Sequence, residues 1–155
     1  VGLHLGMNLR QVARGISRIA PVEHRLQLIP SSGVAIIDDA FNTNPRSSKE
    51  ALKVLSTFPG RRIIVTPGMV ELGTEEEKYN EEFGRYMADC VDIAVLVGKK
   101  HTAPIVKGLK EGGFKAENIH VVSSLDEAIR LNQTMLKAGD VVMYENDLPD
   151  HYSEG

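Results

Sequence analysis

The chain has 155 residues, 42% of them hydrophobic, which gives one compact domain able to bury most of its apolar surface. A formal charge of −3, with Lys and Arg scattered among acids, builds no basic field and argues against nucleic acid as a partner. No apolar run approaches the roughly 20 residues of a membrane span, and the amino terminus lacks a signal peptide's charged start and apolar core. The single cysteine, Cys90, lies among Met87, Ala88 and Val91 and reads as a buried thiol in a reducing cytoplasm.

Taken in chain order, residues 8–20 place Leu9, Val12, Ala13, Ile16 and Ile19 at helical spacing, with Asn8 and Gln11 as a capping pair and Pro21 as the stop. Two apolar runs then flank the turn-rich Pro30-Ser31-Ser32-Gly33, which predicts a hairpin or two neighbouring strands. A regular alternation follows. Helices are predicted over 47–55, 75–90, 103–110 and 125–136, and strands over 62–66, 93–97, 119–122 and 141–144. Ser124 and Glu127 have capping-box spacing at the last helix. Short β-branched runs alternating with helices predict an α/β, Rossmann-like fold: a mostly parallel sheet with helices on both faces.

Such sheets bind ligands beyond the carboxyl ends of their strands, which directs attention to "DDAFNTNP", "TPGMVELG", "GKKHTAP" and "ENDLPDHY". Adjacent side chains on a strand point to opposite faces, so only one of Asp38 and Asp39 faces a cleft while the other turns toward a flanking helix. Asn44 or Ser47 caps the helix that follows. Glu71 either orients a substrate amine, binds metal or caps the next helix, with Thr74 nearer that last role. Glu75, Glu76 and Glu77 open a helix, where negative charge complements the helix dipole. Lys99, Lys100 and His101 follow a strand end and either meet an anionic substrate group or form a polar turn. The five histidines (His4, His24, His101, His120, His151) show no metal-ligand spacing.

"IDDAFNTNPRSSKEAL" resembles the "DDxYNxNPxSxxAAL" stretch that opens the carboxy-terminal domain of Mur ligases, most of all the D-alanyl-D-alanine-adding type, with Phe41 in place of the usual Tyr. "VEHRLQ" is similar to that family's entry into the domain, "GMVELG" to its "GDMAELG" turn, and "VGLHLGMNLRQVARGI" to the last helix of its central domain. The resemblance covers the first half of the chain. It implies that residues 1–21 are the tail of a central ATPase domain and residues 22–155 the carboxy-terminal domain. It also implies a nucleotide-binding set of Arg25, Asp39, Asn42 and Asn44, with Arg25 reaching the ATP phosphates, Asp39 near the ribose and phosphate, and Asn42 rather than Asn44 as the contact. Glu71, Lys99 and His101 are then candidates for substrate contact.

The implied activity is ATP-dependent amide formation in peptidoglycan precursor synthesis, in the cytoplasm. The implied partners are a UDP-muramoyl peptide, an amino acid or dipeptide, and the chain's own central and amino-terminal domains. ATP and Mg²⁺ would be held mainly by the central domain. This chain has no G-x-x-x-x-G-K-[ST] loop, so alone it is expected to be inactive and to bind ATP weakly. Two departures bear on the acceptor amine. "YENDLPDHY" puts Glu145, Asp147 and Asp150 where the family has a Lys-Gly-Ser-Arg-like segment, adding negative charge to a place that would grip a carboxylate, and Pro67-Gly68 replaces Gly-Asp. Among rival classes, a phosphorelay receiver needs a phospho-accepting aspartate that is missing between Ala40 and Arg62, and a dinucleotide oxidoreductase needs a G-x-G-x-x-G. The alternatives are a Mur-like ligase with a different amine acceptor and a non-catalytic partner-binding domain of the same fold.

Overall fold

A computed structural model describes residues 3–18, 22–31, 33–41 and 43–146. Among the described residues, five α-helices and six strands run in the order α1 (Leu9–Ile16), β1 (Gln27–Ser31), β2 (Val34–Asp39), α2 (Pro45–Ser56), β3 (Arg62–Thr66), α3 (Glu76–Cys90), β4 (Ile93–Val97), α4 (Ala103–Glu111), β5 (Ile119–Val122), α5 (Leu125–Met135) and β6 (Val141–Glu145). The strands form one sheet in the order β1-β2-β6-β3-β4-β5. Only β1 is antiparallel, joined to β2 as the predicted hairpin, and the other neighbours run parallel.

The α/β expectation holds, with helices unevenly divided between the faces. On one face, Leu52 and Leu55 of α2, Phe83 and Met87 of α3, and Ile105 and Leu109 of α4 close over Ile37, Ile64, Leu96, Val141 and Met143. On the other, among the described residues, α5 alone brings Ala128, Leu131 and Met135 against Ile63, Val65, Val95 and Val142. The strands from β2 to β6 alternate between these two clusters, as a sheet covered on both sides requires, whereas Leu28 and Ile29 of the edge strand β1 are exposed. α3 and α4 approach closely because Gly84 and Gly108 lie at the crossing: a Cβ on either would strike the backbone carbonyl of Ile105 or Glu81.

α1 has the predicted capping box, Gln11 N–H to Asn8 at 2.9 Å and Asn8 N–H to the Gln11 side chain at 2.8 Å. It ends at Ile16 rather than continuing to residue 20, and residues 19–21 lie outside the described residues. None of its residues is buried, and Leu9 and Ile16 face outward.

Candidate functional site

Parallel pairing brings the carboxyl ends of β2, β6 and β3 side by side, with Asp39 beside Glu145 in register. Strand parity puts Asp39 and Glu145 on the α2 side of the sheet, the side of Ile37 and Met143, and Asp38 on the opposite side. Asp39 is thus the acid on the side of a flanking helix, and Asp38 bonds to the loop before β1 and to its own turn. Its Oδ2 lies 2.8 Å from His24 Nδ1, and its Oδ1 accepts the Ala40 N–H at 3.2 Å.

Asp39 accepts the Leu26 N–H at 3.0 Å, so the two acids grip the loop before β1 from opposite sides of one strand. His24 and Leu26 adopt left-handed backbone conformations, φ 59° and 47°, unusual for residues with side chains. The bonds to Asp38 and Asp39, with Phe41 N–H donating to the His24 carbonyl at 3.1 Å, hold that shape. Arg25 lies between them and is thereby aimed across the end of β2, its guanidinium 4.3 Å from the centre of the Phe41 ring. Burial pushes the Asp39 carboxyl above its ordinary value, aided by the Asp38 charge and opposed by the Leu26 N–H and Arg25.

Around this core opens a cleft of about 440 Å³ whose walls include Arg25, Asp39, Phe41, Thr43, Asn44 and Arg46. Three of the four predicted nucleotide residues, Arg25, Asp39 and Asn44, therefore share one cavity, and Asn42 lies outside the described residues. Asn44 caps α2: its Oδ1 accepts from the Arg46 and Ser47 N–H groups, both at 3.0 Å. The first free donors of α2 are thus already satisfied by the chain itself.

The candidate substrate residues lie elsewhere. Glu71 is exposed on the turn after β3, with φ 64°. Lys99 is exposed after β4, where its charge helps hold the Glu127 carboxyl low, behind the larger effect of two hydrogen bonds from Ser123. His101 lines a separate cleft of about 530 Å³ with Glu76, Glu77, Lys100 and Lys107. Glu127 also departs from a true capping box: Ser124 caps α5, but the Glu127 carboxylate returns to Ser123 rather than to Ser124.

Glu145 is a correction to the sequence reading. It adds no surface charge, because it is fully buried. One oxygen accepts from Thr43 at 3.0 Å and Ser48 at 2.7 Å, and the other from Thr66 at 2.7 Å. Burial raises its pKa and the three hydroxyl bonds only partly offset the rise. The following residue, Asn146, donates from its backbone to the Asp39 carbonyl at 3.1 Å and from its side chain to the Gly68 carbonyl at 2.6 Å. Asp147 and Asp150 lie outside the described residues. Among the described residues, no group of three or more His, Cys, Asp or Glu side chains is arranged to hold a metal ion, and no helix is long and apolar enough to cross a membrane.

A family model described as "Mur ligase, glutamate ligase domain" matches residues 24–144. The chain belongs to this family. Its Mur ligase domain is 26% identical over 148 residues to the UDP-N-acetylmuramoyl-tripeptide-D-alanyl-D-alanine ligase of Bacillus subtilis (strain 168), covering 93% of this chain and 32% of that protein. To the enzyme of the same name from Escherichia coli (strain K12) it is 30% identical over 114 residues, 72% of this chain and 25% of that one. The structure of a MurF ligase from Thermotoga maritima in complex with ADP shares the fold, with a TM-score of 0.69 and 24% identity over 88% of this chain and 32% of that one. This Mur ligase domain thus spans a quarter to a third of the length of these relatives.

Proposed function

We propose that this chain is the nucleotide-facing carboxy-terminal part of an ATP-dependent amide ligase of peptidoglycan precursor synthesis. On this reading the enzyme joins D-alanyl-D-alanine to a UDP-N-acetylmuramoyl tripeptide in the cytoplasm. The observation that carries it is the convergence of Arg25, Asp39 and Phe41 on one cleft at the end of β2. The Bacillus subtilis and Escherichia coli relatives supply the donor and acceptor classes by their names. Residues 1–21 are the tail of the domain before it, which accounts for an amphipathic α1 with no buried residue.

In this reaction the donor carboxylate attacks the γ-phosphorus of ATP, giving an acyl phosphate and ADP. The acceptor amine then adds to the acyl carbon, and the tetrahedral intermediate collapses to amide and inorganic phosphate while the amine loses its proton. Arg25 presents a planar fork of donors to phosphate oxygens and stabilises the charge that moves onto ADP. The Asp39 carboxylate accepts hydrogen bonds from ribose hydroxyls while fixing Leu26, and Phe41 keeps Arg25 directed into the cleft. Mg²⁺, held by residues outside this chain, would neutralise the phosphate charge. Binding and positioning are what this domain contributes, so by itself it has no turnover.

The test uses the full-length protein with ATP, a UDP-N-acetylmuramoyl tripeptide and D-alanyl-D-alanine. Phosphate release that requires both peptide substrates and matches amide product supports the assignment. Release with a different amine alone moves the acceptor, and no release with any amine favours a non-catalytic domain.

A further inference from the structure

Glu145 ends the central strand β6 and divides its two oxygens between the loop after β2 and the end of β3. Oε1 takes Thr43, which lines the cleft beside α2, and Oε2 takes Thr66, whose hydroxyl oxygen in turn accepts the Gly68 N–H at 3.0 Å. No ion-pair partner of Glu145 occurs among the described residues, and an apolar side chain would fill the same space without the cost of a buried charge. Packing alone does not explain a carboxylate here; three convergent hydroxyls do.

We propose that Glu145 is a positioning residue that locks the Thr43 wall of the nucleotide cleft to the Thr66-Pro67-Gly68 turn, so that each loop sets the position of the other. This inference rests on the nucleotide reading of the cleft. A carboxylate suits the task because both of its oxygens accept. In Glu145→Gln one of them becomes an NH₂ donor, so one of the two sides, Thr66 or the Thr43–Ser48 pair, loses its acceptor.

The experiment measures the ADP dissociation constant by calorimetry on the full-length protein, for the wild type, Thr43→Val, Thr66→Val, the double variant and Glu145→Gln. Thr66 does not line the cleft. Even so, Thr66→Val is expected to weaken ADP binding about five-fold or more, in the usual range of coupling between sites. The double variant should weaken it less than the product of the two single effects, because both act through one carboxylate. Thr66→Ser, which restores the hydroxyl, should return affinity to the wild-type value and serves as the check on folding. Thr66→Val within two-fold of wild type, single effects that multiply, or no rescue by serine overturns the proposal.

If the wild type binds no ADP, the nucleotide reading is what has failed. The lock is then tested by amide hydrogen exchange in Glu145→Gln: faster exchange at both 44–48 and 68–69, with α4 still protected, supports it. Faster exchange on one side only, or on neither, overturns it.

Discussion

The guanidinium carbon of Arg25 lies 4.3 Å from the centre of the Phe41 ring, joining the loop before β1 to the loop after β2 by one cation–π contact. Phe41 is 51% exposed, so the ring is a platform at the mouth of the cleft rather than a core residue. Removing it in Phe41→Ala frees Arg25 to sample other directions. Nucleotide affinity of the full-length protein should then fall about two- to five-fold, the worth of such a contact at an exposed site. Phe41→Tyr, which keeps the ring face, should match wild type. Equal affinity in Phe41→Ala and wild type would show that Arg25 needs no such support.

Burial raises the Glu145 carboxyl above its ordinary 4.5, against the pull of the Thr66, Ser48 and Thr43 hydroxyls. With the folded pKa raised, the folded state holds the proton at pH values where the unfolded chain has lost it. The stability this group contributes is fully present below about 4.5 and is lost as pH rises toward the folded value. Asp39 is raised as well, but it remains in both proteins compared. Urea unfolding of wild type and Glu145→Gln across pH ~4 to ~8 should show the wild type losing ground relative to the variant as pH rises. A difference that grows in favour of wild type contradicts the assignment.

Asp140 behaves in the opposite sense. Burial alone would raise its pKa, but the Arg61 guanidinium and the Lys137 N–H outweigh burial and hold it below 3.8. Arg61 reaches it with two bonds, 2.6 and 3.2 Å, and also donates to the Met135 carbonyl at 2.8 Å, tying β3 to the end of α5. This stability is present above the ordinary value and is lost as pH falls through the lowered one. Asp140→Asn should cost about 1.5–3 kcal/mol at neutral pH, the range for hydrogen bonds to charged groups, and progressively less in acid. Chemical unfolding at neutral and acid pH measures both values; a cost independent of pH contradicts the account.

The α3–α4 crossing depends on glycine. In Gly108→Ala the new methyl group meets the Glu81 carbonyl, and in Gly84→Ala the Ile105 carbonyl, both backbone atoms that cannot swing aside. Each change should destabilise the domain by about 1–3 kcal/mol through overpacking. Gly15→Ala, on α1, meets no atom within 4 Å and should leave the unfolding midpoint nearly unchanged. Thermal or urea melts of the three variants decide the matter.

Much of this was legible in the residues. The strands Arg62–Thr66, Ile93–Val97 and Ile119–Val122 coincide with their β-branched runs, because a sheet covered on both faces demands unbroken apolar stretches. The capping pair of Asn8 with Gln11 is local and was readable for that reason; of the two caps offered for α2, Asn44 holds the N-cap position and Ser47 returns the bond from N3. Glu145 was misread as surface charge because its partners, Thr43, Ser48 and Thr66, are distant in sequence and meet it only when β6 enters between β2 and β3. One signal was available: Val141, Met143 and Glu145 alternate onto a single face, and that face is the one α2 covers. The conformation of the loop at 24–26 was beyond pattern reading, since no glycine marks the left-handed His24 and Leu26.

The measurement that bears most directly on the central claim is the steady-state rate of amide formation by the full-length protein carrying Arg25→Ala, with ATP, a UDP-N-acetylmuramoyl tripeptide and D-alanyl-D-alanine. If Arg25 stabilises the transferring phosphate, kcat/KM should fall about 100-fold or more, on the order expected for removing a preorganised charge at the reacting centre. An Arg25→Ala enzyme working within about two-fold of wild type would contradict the assignment of this cleft as the nucleotide face, since a positioned charge is worth far more than that.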